Sequence, residues 1–405
     1  MTLPEKLRLL DVSIGGRPSG ELLQQSQIIF KYAQDTPDQP CVGLLMPPDR
    51  LLYQSNALFP VMDQNLPEGY LFARLREAYP KQALTAMHLL ALIGDNGIGR
   101  LGFRIPGVAA RPPAKPLSRR ELLTSRMGPA LFESLVEAYL STGVGIAGVQ
   151  PKILIPERAT VPVPNLIVKA GSQAYPGLAA NEFLCLSVAQ RAGISTPTFE
   201  LSDDGQLLLI DRFDMDADGG RLGFEDVASL MGRCVRDTLS DRKYQGSYEM
   251  VAEALKLIRL SSLDLGRFFE QLALSVLLRN GDAHLKNFGV LYDAVGDQRL
   301  SPVFDVVTTA IYTYQQYSGG PTLVDRMMAL RLFRKDRDKL YPSADELRRF
   351  GKTVCHVNSP DEVFKKIAQA MHEVLRTAQG DDRIPADTRA QMIAVWHSTL
   401  RDWRL

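Results

Sequence analysis

The chain has 405 residues, 45% hydrophobic and 23% charged, enough apolar material for a large core spread over two or three domain-sized units. Its formal net charge of +1 supplies no global field that would favour nucleic acid or an anionic membrane, so partners have to be selected by local chemistry. No apolar run approaches the roughly 18 residues of a membrane span, no signal-peptide pattern follows Met1, and Cys41, Cys185, Cys234 and Cys355 form no Cys-x-x-Cys pair, which argues against a zinc ribbon or disulfide scaffold and makes a reducing cytoplasm the expected compartment.

Leu7 to Gly20 alternates in strand fashion around a Gly-Gly turn, and Pro67 to Leu92 carries helical apolar spacing through Leu71, Leu75, Leu84, Leu89 and Leu92. The four prolines within residues 105–118 exclude a helix or a central strand there and mark a linker. Beyond it, Ser118 and Glu121 stand at capping-box spacing ahead of a helical stretch that runs to about Leu140. Strands are expected near 150–156, 163–169, 197–202 and 206–212, with a helix near 177–193 between the second and third. From about residue 245 the pattern is mostly helical, interrupted by a loop and strand over 280–291 and by an irregular, polar 312–324. No internal repeat or low-complexity tract is present.

The chemistry-bearing residues lie in these segments. Gly143 to Lys152 is glycine-rich and precedes the strand Ile153–Ile155; such a turn lets backbone N–H groups approach phosphate oxygens, although a plain tight turn would look the same. Lys169 ends an apolar strand and either snorkels to solvent or points inward, where Glu182, early in the following helix, could fix it as an ion pair. Leu207 to Ile210 reads as a buried strand entering Asp211-Arg212-Phe213, whose backbone could meet an adenine edge while Phe213 packs nearby; a strand running into a polar turn is the simpler alternative.

The strongest signal is Asn280-Gly-Asp-Ala-His-Leu-Lys-Asn287, which follows the apolar helix Phe268 to Leu278 and leaves as the strand Asn287 to Tyr292, with Asp305 eighteen residues after Asn287. An Asp that can accept a hydroxyl proton, an Asn five residues later and a further Asp are the minimum parts for holding a nucleophile beside a Mg-nucleotide. Asp282 supplies the carboxylate that orients the alcohol, while Asn287 and Asp305 offer the hard oxygen ligands that Mg²⁺ prefers. A helix end followed by a hydrophilic turn would explain the first loop alone, but not the addition of Asp305.

A strand-rich lobe followed by a helical lobe with acidic loops is the layout of a protein-kinase-like fold, with nucleotide in the cleft between the lobes. The chain resembles the HipA family, serine/threonine-kinase toxins of bacterial toxin–antitoxin pairs, through Ala147-Gly-Val-Gln-Pro-Lys152, Tyr175-Pro-Gly177 with Asn181-Glu182, Asp211-Arg-Phe-Asp214, Gly281 to Asn287, and Leu300-Ser-Pro-Val-Phe-Asp305. Leu66-Pro-Glu-Gly69 and Leu92-Ile-Gly-Asp-Asn-Gly97 extend the likeness to the family's accessory domain. The resemblance implies an α+β, two-lobed fold: an accessory domain over 1–110, a nucleotide-binding N-lobe over 119–213 and a helical C-lobe over 214–405. It also implies Asp282 as catalytic base, Asn287 and Asp305 as magnesium ligands, and Lys169, oriented by Glu182, as the phosphate-contacting lysine. Ala147, Gly148, Val149, Gln150, Pro151 and Lys152 would form the phosphate loop and Asp211, Arg212 and Phe213 the adenine-side hinge, with His284, Leu285, Lys286 and Phe304 bordering the nucleotide.

By the same resemblance the cofactors would be ATP and Mg²⁺. The chain would phosphorylate a protein, plausibly an aminoacyl-tRNA synthetase, and be restrained by a small DNA-binding antitoxin, meeting DNA only through it. A small-molecule phosphotransferase of the aminoglycoside-kinase kind, or a catalytically silent antitoxin-binding member, are the alternatives. Where family members commonly carry an autophosphorylated serine this chain has Gly145, with Ser141 and Thr142 offset, so silencing through residue 145 is not expected.

Other features read as structural. His284 and Asp282 are not expected to hold zinc, since the chain has only five histidines and no cysteine lies near them. Cys355-His356 suits packing in a helix, Arg331 to Lys339 interleaves acid with base as a solvated loop does, and Phe268, Phe269, Trp396 and Trp403 suit cores.

Overall fold

The computed structural model describes residues 3–33, 40–67, 69–95, 97–108, 118–124, 152–155, 165–170, 175–234, 237–294, 296–315, 322–324 and 326–405. The N-terminal part is a five-stranded antiparallel sheet in the order Leu52–Ser55, Ile28–Tyr32, Arg17–Gln24, Leu9–Ile14, Leu101–Arg104. Its first hairpin turns at Gly15 and Gly16, with φ of +57° and +78°, the left-handed pair that a tight two-residue hairpin requires. Leu10, Val12 and Ile14 alternate into a core that Leu89, Leu90 and Ile93 complete from a helix.

The helical pattern expected over 67–92 divides into two helices, Gly69–Ala78 and Ala86–Ile93. Pro80 lies in the break, where it disfavours helical backbone at the residue before it. The second helix restarts at Thr85, which caps it reciprocally with His88.

The remainder has the α+β, kinase-like architecture. A four-stranded antiparallel sheet, ordered Lys152–Ile155, Leu166–Ala170, Leu207–Asp211, Phe199–Leu201, carries the helix Leu178–Arg191. Every residue of Leu166–Ala170 is buried, as befits a central strand covered on both faces. A second small sheet joins Gly223–Asp226, Gly289–Tyr292 and Arg299–Leu300 beside the helices Tyr248–Leu257, Ser262–Leu277, Ala344–Thr353, Pro360–Ala378 and Ala386–Trp403. Ser262–Leu277 starts before the expected Phe268, because the Ser261 hydroxyl accepts the Asp264 N–H as an N-cap. Phe268, Phe269, Trp396 and Trp403 all enter the larger core. Cys355-His356 lies outside any helix: Ala344–Thr353 has ended, and His356 adopts φ +57° while Cys355 is buried.

The N-terminal sheet docks on the junction between the lobes. Gly99 N–H donates to Asp214 Oδ2 at 2.6 Å, Arg212 Nη2 donates to the Gly97 carbonyl at 2.8 Å, and the Gln64 side chain bridges the Phe224 carbonyl and the Asp226 N–H at 2.7 and 2.9 Å. Arg212 and Asp214 form a buried ion pair between these contacts. Leu44 N–H donates to the buried Glu225 carboxylate at 2.6 Å.

Candidate active site

Lys169 stands on the central strand, in register with Lys152 on one side and Leu208 on the other. Its side chain turns inward, 4% exposed, and Nζ is ion-paired with both Glu182 and Asp305. Burial alone would push this ammonium down, but the Asp305 and Glu182 carboxylates outweigh it and hold the pKa above the usual lysine value. The lysine therefore joins the helix Leu178–Arg191 to the loop of Asp305.

The loop after the helix Ser262–Leu277 is fixed by its own backbone polar groups. Arg279 takes φ +56° as the helix ends, and Asn280 N–H bonds back to the Ser275 carbonyl at 2.8 Å. Gly281 N–H donates to Thr309 Oγ1 at 2.7 Å, while Thr309 N–H donates to the Arg279 carbonyl at 3.1 Å, lacing the loop to the segment beyond Asp305. Asp282 N–H is held by Asn280 Oδ1 at 3.1 Å, and the Asp282 carbonyl accepts His284 N–H at 2.7 Å. Asn287 then ties the two acidic loops together: Nδ2 donates to the carbonyls of Asp282 at 3.0 Å and Asp305 at 3.3 Å.

Asp305 has φ +53°, a left-handed conformation uncommon for a side-chain-bearing residue and one that the surroundings must enforce. The enforcement is visible. Val303 N–H bonds to the Ser195 carbonyl at 2.8 Å, and buried Asn181 brackets Thr308 by accepting its N–H at 2.9 Å and donating to its carbonyl at 3.1 Å. Trp396 Nε1 donates to Thr308 Oγ1 at 2.9 Å. The Asp305 side chain remains 23% exposed while its backbone is anchored.

These residues fit a magnesium ion. Asn287 commits its amide nitrogen to two carbonyls, which would leave Oδ1 as the end to coordinate a cation, and Asp305 would add a partly exposed carboxylate. Among the described residues no three His, Cys, Asp or Glu gather as a metal cage. One carboxylate and one amide oxygen, with phosphates and water completing the shell, is the arrangement Mg²⁺ favours over an all-protein cage.

The other expected site residues fall into four groups. Phe213 stacks on Phe304 with centroids 5.2 Å apart, and Phe224 closes the cluster edge-on; a side chain at Gly289 would have to displace the Phe224 ring. His284 and Lys286 are buried within the Asn280–Asn287 segment, and Leu285 packs in the core. Asp211 and Arg212 point elsewhere: Asp211 pairs with Arg119 and its N–H serves the Thr198 carbonyl, while Arg212 is spent on Asp214 and Gly97 and its N–H on the Asn165 carbonyl. Ala147 to Pro151, the Lys152 side chain, Gly145, Ser141 and Thr142 lie outside the described residues.

Sequence reasoning missed Tyr244, whose hydroxyl donates to Asp282 Oδ1 at 2.8 Å from a segment 38 residues away. It also gave no structural task to Asn181, Thr308 and Thr309, and it assigned Trp396 to packing alone. Polar residues in otherwise apolar runs, such as Asn181 in its helix, were the available signal.

Comparison with known proteins identifies the family and the fold. A model of the HipA-like C-terminal domain matches residues 144–379, more than half of the chain, and a model of the HipA N-terminal domain matches residues 10–104. The chain belongs to the HipA family. Among relatives of this HipA-family chain, the Sinorhizobium fredii protein Y4dM, which carries a provisional kinase name, is 28% identical over 350 residues, covering 76% of this chain and 78% of that protein. A Haemophilus influenzae protein, also provisionally named a kinase, is 28% identical over 217 residues, covering 49% of this chain and 60% of its own length. HipA of Shewanella oneidensis, solved with HipB and operator DNA as a toxin–antitoxin complex, shares the fold with a TM-score of 0.68 at 18% identity, over 98% of this chain and 96% of that one. These likenesses support a kinase or phosphotransferase. Among the described residues no helix is long and apolar enough to cross a membrane.

Proposed function

We propose that this HipA-family chain is an ATP-dependent serine/threonine protein kinase, acting as the growth-arresting toxin of a toxin–antitoxin pair. The observation that carries the reading is the convergence of Lys169, Glu182 and Asp305 in one ion-pair network, with Asn287 tying Asp305 to the Asp282 loop. Of the three donors on the Lys169 ammonium, two are engaged by Glu182 and Asp305, and among the described residues nothing else takes the third, which would serve a phosphate oxygen. Glu182 keeps that ammonium aimed. Magnesium held by Asn287 and Asp305 would neutralise charge on the β- and γ-phosphates. Asp282 orients the acceptor hydroxyl and takes its proton as the oxygen attacks the γ-phosphorus and ADP departs.

A small DNA-binding antitoxin is the proposed restraint, by analogy with the Shewanella oneidensis complex, and an aminoacyl-tRNA synthetase the proposed substrate. Incubating the purified chain with γ-labelled ATP and cell extract tests the reading. A discrete labelled protein band, absent with Asp282→Asn, is expected. Label appearing only in small molecules would replace protein kinase with small-molecule phosphotransferase, and labelling unaffected by Asp282→Asn would remove the assigned base.

A further inference from the structure

The Asp282 main chain is pinned on both sides, by Asn280 Oδ1 at its N–H and by His284 N–H and Asn287 Nδ2 at its carbonyl. Its carboxylate is held differently. Among the described residues one hydrogen bond reaches it, from Tyr244 Oη to Oδ1 at 2.8 Å. A carboxylate on a fixed backbone still turns about its side-chain torsions, and a base that turns spends part of its time facing away from the proton it must accept.

Tyr244 is itself fixed from two directions. Lys339 Nζ donates to its backbone carbonyl at 2.8 Å, and its ring meets His284 edge-on with centroids 5.1 Å apart. Lys243 Nζ and Lys339 Nζ lie 5.5 and 6.0 Å from the ring centroid. The ring is thus packed against the same loop that carries Asp282, and its hydroxyl is delivered to one oxygen of the pair.

Resting on the kinase reading above, we infer that Tyr244 is a positioning residue: its phenol occupies Oδ1 of Asp282 and so presents Oδ2 to the acceptor hydroxyl. In the transfer step the acceptor O–H proton passes to Oδ2, the acceptor oxygen bonds the γ-phosphorus, and the bond to ADP breaks. The Tyr244 proton stays on the phenol throughout. Tyr244 touches neither nucleotide nor acceptor in this arrangement; it acts through Asp282.

The test compares Tyr244→Phe and Tyr244→Leu with the wild type, measuring kcat and KM for ATP in protein phosphorylation, nucleotide affinity with a fluorescent ATP analogue, and thermal stability. Phenylalanine keeps the ring and loses the hydroxyl, so kcat should fall ~10-fold to ~30-fold, part of the 10²–10⁴ that a general base supplies, while KM for ATP and nucleotide affinity stay within about twofold. Leucine should lose little more in kcat than phenylalanine does. Wild-type kcat in Tyr244→Phe overturns the inference, as does a loss confined to Tyr244→Leu with raised KM and lowered melting temperature, which would reduce Tyr244 to ring packing. Asp282→Asn measured in parallel separates the two levels: if it is inactive while Tyr244→Phe is normal, the inference alone fails. If Asp282→Asn is fully active, the base assignment fails with it.

Discussion

Replacing Lys169 with methionine tests the centre of the site, because methionine keeps the apolar stem and removes the charge. Lys169 and Glu182 are 4% and 1% exposed at their side chains, and Asp305 is 23% exposed. Water can reach Asp305 when the ammonium is gone. Glu182, 1% exposed at its side chain, instead loses the Lys169 ammonium while staying out of water's reach. Removing one partner of such a buried pair costs about 3–5 kcal/mol. The double variant Lys169→Met/Glu182→Gln removes both charges, so it should recover about 2 kcal/mol relative to the single variant. Urea unfolding at pH 7.5, followed by tryptophan fluorescence, reads this directly, since Trp396 and Trp403 lie in the same core as the Lys169 strand. A single variant within about 1 kcal/mol of wild type, or a double variant less stable than the single, would refute the proposed network of charges. In kinase assays Lys169→Met should impair nucleotide use more than Glu182→Gln, since Glu182 acts only by aiming the lysine.

Asp282→Asn and Asp305→Asn should each lower phosphoryl transfer by about 10³-fold or more with little change in far-ultraviolet circular dichroism, because both residues lie on loops outside the helices and strands. Burial lifts the Glu225 carboxyl to about 7 from its ordinary 4.5, against the Leu44, Tyr292 and Ser229 hydrogen bonds that favour its anion. The folded state thus holds a proton that the unfolded chain has released, so this contribution is complete below about pH 4.5, fades as pH rises through about 7, and amounts to about 3 kcal/mol over that window. Glu225→Gln should flatten the decline between pH 5.5 and 7.5 in denaturant titrations; an unchanged slope would show that Glu225 does not titrate there. Asn181→Ala strands the buried N–H and carbonyl of Thr308 and should cost about 2–4 kcal/mol, with a disproportionate loss of activity because Asp305 lies three residues upstream.

Local pattern carried much of the fold. The Gly15-Gly16 hairpin, the Ser118–Glu121 capping box, the central strand at Leu166–Ala170 and the helix at Leu178–Arg191 depend on neighbours in sequence, and each lies where alternation, caps or apolar period put it. The split of 67–92 was legible only through Pro80, whose ring competes with an otherwise continuous helical period. His356 shows the opposite failure: apolar spacing continued past the true helix end, and a left-handed residue that no composition signals closed it.

By itself the sequence determined which residue types were present for phosphoryl transfer, because Asp282 and Asn287 share one loop and Asp305 follows at a fixed remove. Residue type and spacing suffice for chemistry that a single loop supplies. Only the tertiary structure decided that Lys169 turns inward to meet both Glu182 and Asp305, that the Arg212 side chain bonds Asp214 and the Gly97 carbonyl, and that Tyr244 reaches the Asp282 carboxylate. Those contacts join elements 13 to 136 residues apart, and an ion pair or hydrogen bond of that kind leaves no periodicity behind. Its energy appears only once the chain has excluded water around both partners, and that exclusion is a property of the packed whole.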